Sequence, residues 1–469
     1  MTKMHVVIRA ALCFGLVFIL FVFLSLVLPP LFHKNFEATL SESTETFVES
    51  ETECCKERVL NIENNDEALV WRLRLIGNAK SELILTTFEL CDDRSGREIM
   101  SALYDASERG VKVRILVDGF SAFARLKQSD CFKALVSSAN VEAKYYNAVN
   151  LLTPWNLNYR MHDKFLIADG FAYILGGRNT NDLFLGNYRE NYNIDRDVLV
   201  YSENVDKASV NDVKAYFEEL WGLSCCSSVE YDVDHSELVS AKNKLVDLFY
   251  ELKQDRPEAF ETVDWIKETF EANRVHLISN SVNVGNKAPE LWYSLNSLMK
   301  NGNQILVQTP YIIFGNEMYG DFKSITDEGK SVSVMTNSVA NGANPWGCSD
   351  YLNHKNRIYA SGVGVYEFLG GQSLHTKTVL IDNSISIVGS FNMDMRSAYL
   401  NTETMLVIDC PELNSRLKNS FYKATDVSKF VNSSTVSYGK DYVERELPYF
   451  KRAFLTVFRI IIKPFRYLL

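Results

Sequence analysis

The sequence predicts an α/β protein built from two pseudo-symmetric α/β/α lobes that share one active site, preceded by a single transmembrane helix. Three observations carry that expectation. A polar pattern occurs twice: His162-Asp163-Lys164, Asp169 and Gly176-Gly177-Arg178-Asn179, then His375-Thr376-Lys377, Asp382 and Gly389-Ser390-Phe391-Asn392. Both copies read H-x-K-x4-D-x6-G-[GS]-x-N, and they use two of only seven histidines in the chain. The same order of apolar strands and helices precedes each copy, which is the mark of a tandem repeat. Finally, residues 10–32 form a run of 23 uncharged residues, enough to span a bilayer.

Taken in order, residues 1–9 carry Lys3 and Arg9, and the acidic stretch after Lys34 has seven Glu from Glu37 to Glu57. The positive-inside bias therefore places the N-terminus in the cytoplasm, 10–32 as an uncleaved single-pass anchor, and the catalytic part on the extracytoplasmic side. Residues 33–65 read as a solvated tether rich in Ser, Thr and Glu. Lobe 1 spans 66–205. A helix is expected over 68–76, a strand over 82–88, a helix over 97–109, a strand over 111–117, a helix near 129–138 and a strand over 141–146, before the first motif. Residues 206–287 read as a helical, charged segment between the lobes with a strand-like run at 275–279. Lobe 2, 288–440, repeats the order with helices at 289–300, near 316–328 and near 349–360, and strands at 304–310, 332–336 and 363–368. Alternation of strand and helix points to α/β layers. The C-terminal segment, 441–469, is basic and apolar. Arg452, Arg459, Lys463 and Arg466 fall on one helical face, and Pro464 interrupts any single long helix, a composition that suits an interfacial membrane helix.

The motif has a chemical reading. On a strand, His and Lys two positions apart leave the same face. The runs Phe165-Leu166-Ile167 and Val379-Leu380-Ile381 suit buried strands, and Asp169-Gly170 and Asp382-Asn383 suit turns. Two such modules face to face bracket a tetrahedral anion with two imidazoles and two ammonium groups. That is the equipment for phosphodiester exchange: one neutral His attacks phosphorus and the opposite, protonated His supplies a proton to the leaving oxygen. Candidate catalytic residues are His162, Lys164, Asp169, His375, Lys377 and Asp382. Asn179, Asn392, Gly177 and Ser390 are candidates for holding the phosphate. No metal and no cofactor is called for. His235, His276 and His354 have no partner at ligand spacing and read as structural.

The paired H-x-K-x4-D motifs resemble the phospholipase D superfamily at every position. Gly176-Gly177-Arg178-Asn179-Thr180-Asn181-Asp182 and Gly389-Ser390-Phe391-Asn392-Met393-Asp394-Met395-Arg396-Ser397 are similar to its bacterial cardiolipin synthase branch. The resemblance covers about 66–469. It implies a membrane phosphatidyltransferase making cardiolipin from phosphatidylglycerol, with phosphatidylethanolamine as a further candidate lipid, through a phosphohistidine. It also implies an acid that orients each histidine: Glu403 after the second motif, and in lobe 1 Asp197, with Asp195 as the alternative. Glu403 is expected in the His375 half, which makes His375 the better proton donor and His162 the nucleophile. Ser390 has no counterpart hydroxyl at Gly177, so the halves are not equivalent.

Composition limits the rivals. The chain is 469 residues long with a net charge of −10, which argues against a general nucleic-acid binder. A hydrolytic phospholipase D is the nearest alternative, and an inactive membrane scaffold is the alternative of another class, against which both intact motifs weigh. The nine cysteines contain no C-x-x-C pair. The adjacent pairs Cys54-Cys55 and Cys225-Cys226 read as ordinary thiols, and bridges between the pairs are open only if the domain lies outside the cytosol.

Overall fold

The computed structural model describes residues 2–31, 57–232, 234–342 and 344–469. Two nine-stranded mixed sheets form the centre. The first runs, in spatial order, Phe270–Ala272, Glu57–Ile62, Asp197–Ser202, Ala172–Gly176, Phe165–Ala168, Glu82–Thr87, Lys112–Asp118, Val141–Tyr146 and Cys226–Ser228. The second repeats the plan with Arg274–Ser279, Thr404–Asp409, Ile385–Gly389, Thr378–Ile381, Gln304–Gln308, Ser331–Asn337, Gly364–Phe368, Ser428–Val431 and Val436–Tyr438. In both, three central strands are parallel and the motif strands pair antiparallel to them.

Strand alternation sorts the side chains between two faces. Leu83, Leu85, Leu166 and Ala168 point to the outer face of lobe 1, beneath the helices Asn65–Asn78, Arg94–Glu108, Asp130–Val136 and His235–Asp255. Ile84, Phe165 and Ile167 point the other way and join Leu380, Val388 and Leu406 of lobe 2 in one interior cluster. The two sheets therefore pack on each other, with Val210–Gly222 and Pro411–Thr425 flanking the same interior layer. The expected helices and strands of both lobes are present, each within a few residues of its expected ends.

Two expectations need correction. The strand Glu57–Ile62 lies inside the stretch read as tether, yet it pairs along its length with Asp197–Ser202, so the first sheet starts before residue 66. Its alternation was masked by the acidic run before it. Residues 32–56, with Cys54 and Cys55, lie outside the described residues, among which Cys225 and Cys226 make no disulfide. The segment 206–287 is not a separate helical unit, because Cys226–Ser228 and Phe270–Ala272 join the first sheet, and its strand-like run, as Arg274–Ser279, joins the second.

The N-terminal helix Thr2–Val27 belongs to a stretch, Val7–Leu31, that is long and apolar enough to cross a membrane. Its last carbonyls have no partner within the helix. Asn158 donates to the Leu26 carbonyl at 2.7 Å and the Tyr467 hydroxyl to that of Val27 at 2.6 Å, which fastens the helix end to the lobes.

Candidate active site

Each motif histidine precedes its strand: Phe165–Ala168 starts three residues after His162, and Thr378–Ile381 starts three after His375. The lead-in is held by short parallel pairings between lobes. Asn193–Ile194 of lobe 1 pairs with Ser373–Leu374 of lobe 2, and His375 N–H donates to the Ile194 carbonyl at 2.7 Å. In the mirror arrangement Met161 bridges Thr402, and His162 N–H donates to the Thr402 carbonyl at 3.1 Å. The residue after each of these partners is acidic: Asp195 and Glu403.

The consequence is a crossed pair. Glu403, from lobe 2, contacts Nδ1 of His162 at 2.9 Å, and Asp195, from lobe 1, contacts Nδ1 of His375 at 2.6 Å. With Nδ1–H donated to a carboxylate, each ring presents Nε2 to the site. Thus Glu403 does not serve the His375 half, as expected, but the opposite one. Asp197 is also not an orienting acid: it is fully buried in ion pairs with Arg72 at 2.9 Å and Arg178 at 3.3 Å. Asp195 takes the place assigned to it. A sequence signal existed for this choice, since Asn193-Ile194-Asp195 matches Asn401-Thr402-Glu403 in spacing.

The motif aspartates sit elsewhere. Asp169 and Asp382 occupy the hairpin turns at the far end of the motif strands with φ of +48° and +46°. Asp169 accepts backbone N–H bonds from Lys80, Ser81 and Glu82 at 2.7, 2.8 and 2.9 Å, and Asp382 accepts from Asn303 and Gln304. They hold the turn to the neighbouring strand and take no part in the cluster of histidines. Nor do Gly177 and Ser390 present backbone donors, since their N–H groups bond the Arg196 and Thr404 carbonyls. Ser390 Oγ donates to Glu403 at 2.5 Å. At Gly177 a Cβ would stand 2.3 Å from Asp195 Oδ1, so glycine makes room for the carboxylate that serine braces in the other half.

Lys164 and Lys377 complete the cluster, each reaching the carbonyl of its own histidine. Lys377 Nζ also lies 2.5 Å from His375 Nδ1 and 3.7 Å from Asp195. Burial, followed by the charges of Lys164 and Lys377, holds His162 well below the usual imidazole range. Burial and then Lys377 push His375 down to about 4. Each histidine feels the lysine of the other lobe, so the two halves form one electrostatic unit. Burial pushes Glu403 up to about 7. It would raise Asp195 too, but Lys377 and His375 outweigh it and hold Asp195 at about 2. The two acids are therefore unlike: one is firmly ionised and the other titrates near neutrality.

Asn179 and Asn392, the candidate anion holders, each have a buried side-chain oxygen with no hydrogen-bond partner among the described residues; Asn392 Nδ2 donates to the Tyr311 hydroxyl at 3.2 Å. Amide orientation is interchangeable, so either end can face a ligand. Sequence reasoning missed the aromatic walls. Phe88 packs edge-on against His162 with ring centroids 5.3 Å apart, and Phe184 against His375 at 4.9 Å. It also missed Arg196, whose guanidinium crosses the lobe boundary to Gln308 at 2.9 Å and Thr378 at 2.8 Å. Lone Phe and Arg residues carry no motif that could have singled them out. A cavity of about 210 Å³ opens beside His375, lined by Tyr311, Asn344 and Asn337 among others.

A family model described as cardiolipin synthase, PLD-like domain matches residues 73–221 and 295–425. Cardiolipin synthase C of Escherichia coli (strain K12) is 26% identical over 403 residues, covering 77% of this chain and 84% of that protein. An uncharacterized protein of Helicobacter pylori is 26% identical over 399 residues, covering 76% of this chain and 77% of its own length. Among solved structures, phosphatidylserine synthase of Haemophilus influenzae Rd KW20 superposes with a TM-score of 0.61 at 16% identity, over 88% of this chain and 95% of that one. That likeness concerns the fold.

Proposed function

The chain belongs to the cardiolipin synthase, PLD-like family, and on that premise we propose that it is a membrane-bound phosphatidyltransferase that joins two molecules of phosphatidylglycerol into cardiolipin and glycerol. The observation that carries the reading is the crossed pair of contacts from half-buried histidines to fully buried carboxylates, around two lysines. A phosphodiester anion bound there is met by Lys164, Lys377 and the amides of Asn179 and Asn392, which stabilise charge growing on its non-bridging oxygens. That negative charge also offsets the lysines that hold the histidines neutral, so one of them can then carry a proton.

His162 is the nucleophile in this reading. Its Nε2 attacks phosphorus, the bond from phosphorus to the glycerol oxygen breaks, and His375 gives that oxygen its proton. A phosphatidyl group is left on His162. His375, now neutral, takes the proton from the hydroxyl of a second phosphatidylglycerol as that oxygen attacks phosphorus and the P–N bond breaks. The assignment follows from the unlike acids rather than from the half in which they were expected. Ionised Asp195 stabilises an imidazolium at His375 better than Glu403, with a pKa near 7, does at His162. The helix Thr2–Val27 supports the membrane-bound form, and the charge bias around it supports an extracytoplasmic site. Phosphatidylethanolamine is a second candidate donor or acceptor.

The test is purified full-length protein in phosphatidylglycerol vesicles, with products resolved by mass. Cardiolipin and glycerol in equal amounts are expected. Phosphatidic acid as the sole lipid product refutes transfer and makes the protein a hydrolase.

A further inference from the structure

The helix Tyr449–Ile461 and the turn after it sit on lobe 2 with Lys451, Arg459 and Arg466 turned to it, while Arg452 and Lys463 are exposed. Lys451 donates to the Gly342 carbonyl, Arg459 to Asn353 and the Leu352 carbonyl, and Arg466 pairs with Asp350. Leu455 and Ile462 are buried against the lobe, and a second apolar row faces out, with Phe450 84%, Ile460 69% and Val457 59% exposed. A contiguous apolar stripe of this kind is kept for an apolar contact. Beside it stands the end of the N-terminal helix, where Phe23 packs edge-on against Phe465 with centroids 6.1 Å apart. Phe23 to Val27 belong to the stretch able to span a membrane, so the stripe lies at the level where that span ends.

A mostly apolar groove of about 570 Å³ runs between the two, walled by Phe23, Leu26, Ile313, Trp346, Ile461 and Phe465, with Asn158, Asp394 and Arg396 also in its lining. It adjoins the cavity beside His375, and Tyr311 and Asn344 line both. Tyr311 is in turn hydrogen-bonded to Asn392. The lining of the two adjoining cavities therefore changes from mostly hydrocarbon at the N-terminal helix to polar at His375.

We propose that this groove is an acyl-chain site, through which a diacyl phospholipid enters sideways from the bilayer. Its chains lie between the N-terminal and C-terminal helices and its phosphodiester lies beside His375; this rests on the phospholipid-transfer reading above. The walls match hydrocarbon in character, and the polar change at Tyr311 and Asn344 falls where a lipid changes from chain to headgroup. A lipid that slides along this path keeps its chains out of water throughout.

The full chain, reconstituted in phosphatidylglycerol vesicles doped with a phosphatidylglycerol carrying a diazirine on one acyl chain, is irradiated and the adducts are mapped. Adducts on Ile313, Ile461 or Phe465 are expected; adducts confined to the Leu12–Leu20 part of the N-terminal helix overturn the groove. In parallel, turnover of dioleoyl-phosphatidylglycerol vesicles is compared with that of monomeric dihexanoyl-phosphatidylglycerol. Ile461→Asp places a charge in the apolar wall and lowers the long-chain to short-chain ratio by about ten-fold or more; an unchanged ratio overturns the groove. If the unaltered protein turns over neither lipid, the transfer reading fails, and the adduct map alone decides the groove.

Discussion

Replacing Asp195 by Asn tests the crossed arrangement most directly. The side chain keeps its shape and can still touch His375 Nδ1, now 2.6 Å from the carboxylate, but the charge is gone. Two opposite charges about 4 Å apart at an effective dielectric near 20 interact by about 4 kcal/mol. That stabilisation exists only when His375 is an imidazolium, so it acts on the step in which His375 carries the proton. Its loss lowers kcat by roughly three powers of ten, in line with the factor of about 10⁴ for the same substitution in serine-protease triads. Asp197→Asn is the control. It breaks buried ion pairs with Arg72 and Arg178 and leaves both cations unmatched. The cost there falls on stability, by about 3–5 kcal/mol, while the folded fraction keeps its kcat. The assay is cardiolipin formation per folded molecule, with folding followed by thermal melts. An Asp195→Asn protein within ten-fold of the parent, or an Asp197→Asn protein that folds well and is inactive, would falsify the cross-lobe assignment.

Further outcomes are expected at other positions. Glu403, pushed up to about 7 by burial, is protonated below that pH in the folded protein, so kcat/KM rises with pH through about 7; in Glu403→Gln that rise disappears, and its persistence shows that another group titrates. Asp169→Ala removes the acceptor of three backbone N–H bonds and puts a Cβ residue without a local hydrogen bond at φ +48°. The melt then shows about 1–3 kcal/mol of destabilisation with kcat retained, whereas a loss of kcat in well-folded protein returns Asp169 to the chemistry. His162→Ala and His375→Ala each abolish turnover with the fold intact. Acid quenching of the parent followed by peptide mapping finds phosphate on the His162 peptide, and phosphate on the His375 peptide reverses the roles. Turnover survives exhaustive chelation; strict dependence on a divalent ion in the chemical step is the contrary result.

Much of this architecture is legible from residues alone, and the boundary of legibility has a physical reason. The paired motifs, the strand–helix order and the span near the N-terminus are local patterns, and local patterns survive in one dimension. Which acid meets which histidine is set by the parallel pairings Asn193–Ile194 with Ser373–Leu374 and Met161 with Thr402, contacts about 180 and 241 residues apart in sequence. No periodicity reports such a pairing. Asp197 was the attractive choice because it opens the strand Asp197–Ser202, but the register places it opposite Gly176, in line with Met405 opposite Gly389, and that leaves Asp195 in line with Glu403. The motif aspartates show the reverse failing. Their invariable spacing within the two copies suggested chemistry, although a left-handed turn that ties two strands together demands the same spacing.

The exchange of acids between lobes has a consequence for the repeat itself. A single lobe holds a histidine and a lysine but lacks the carboxylate that aims its own imidazole, because that group is carried by the other copy. Such a half is incomplete in isolation and becomes complete only by meeting a second half head to head. Two identical halves would have to meet about a twofold axis and would carry identical acids. Joined in one polypeptide, they are released from that symmetry. Aspartate can then stand opposite glutamate and glycine opposite serine, and the two imidazoles, alike in their motifs, can be set to different work.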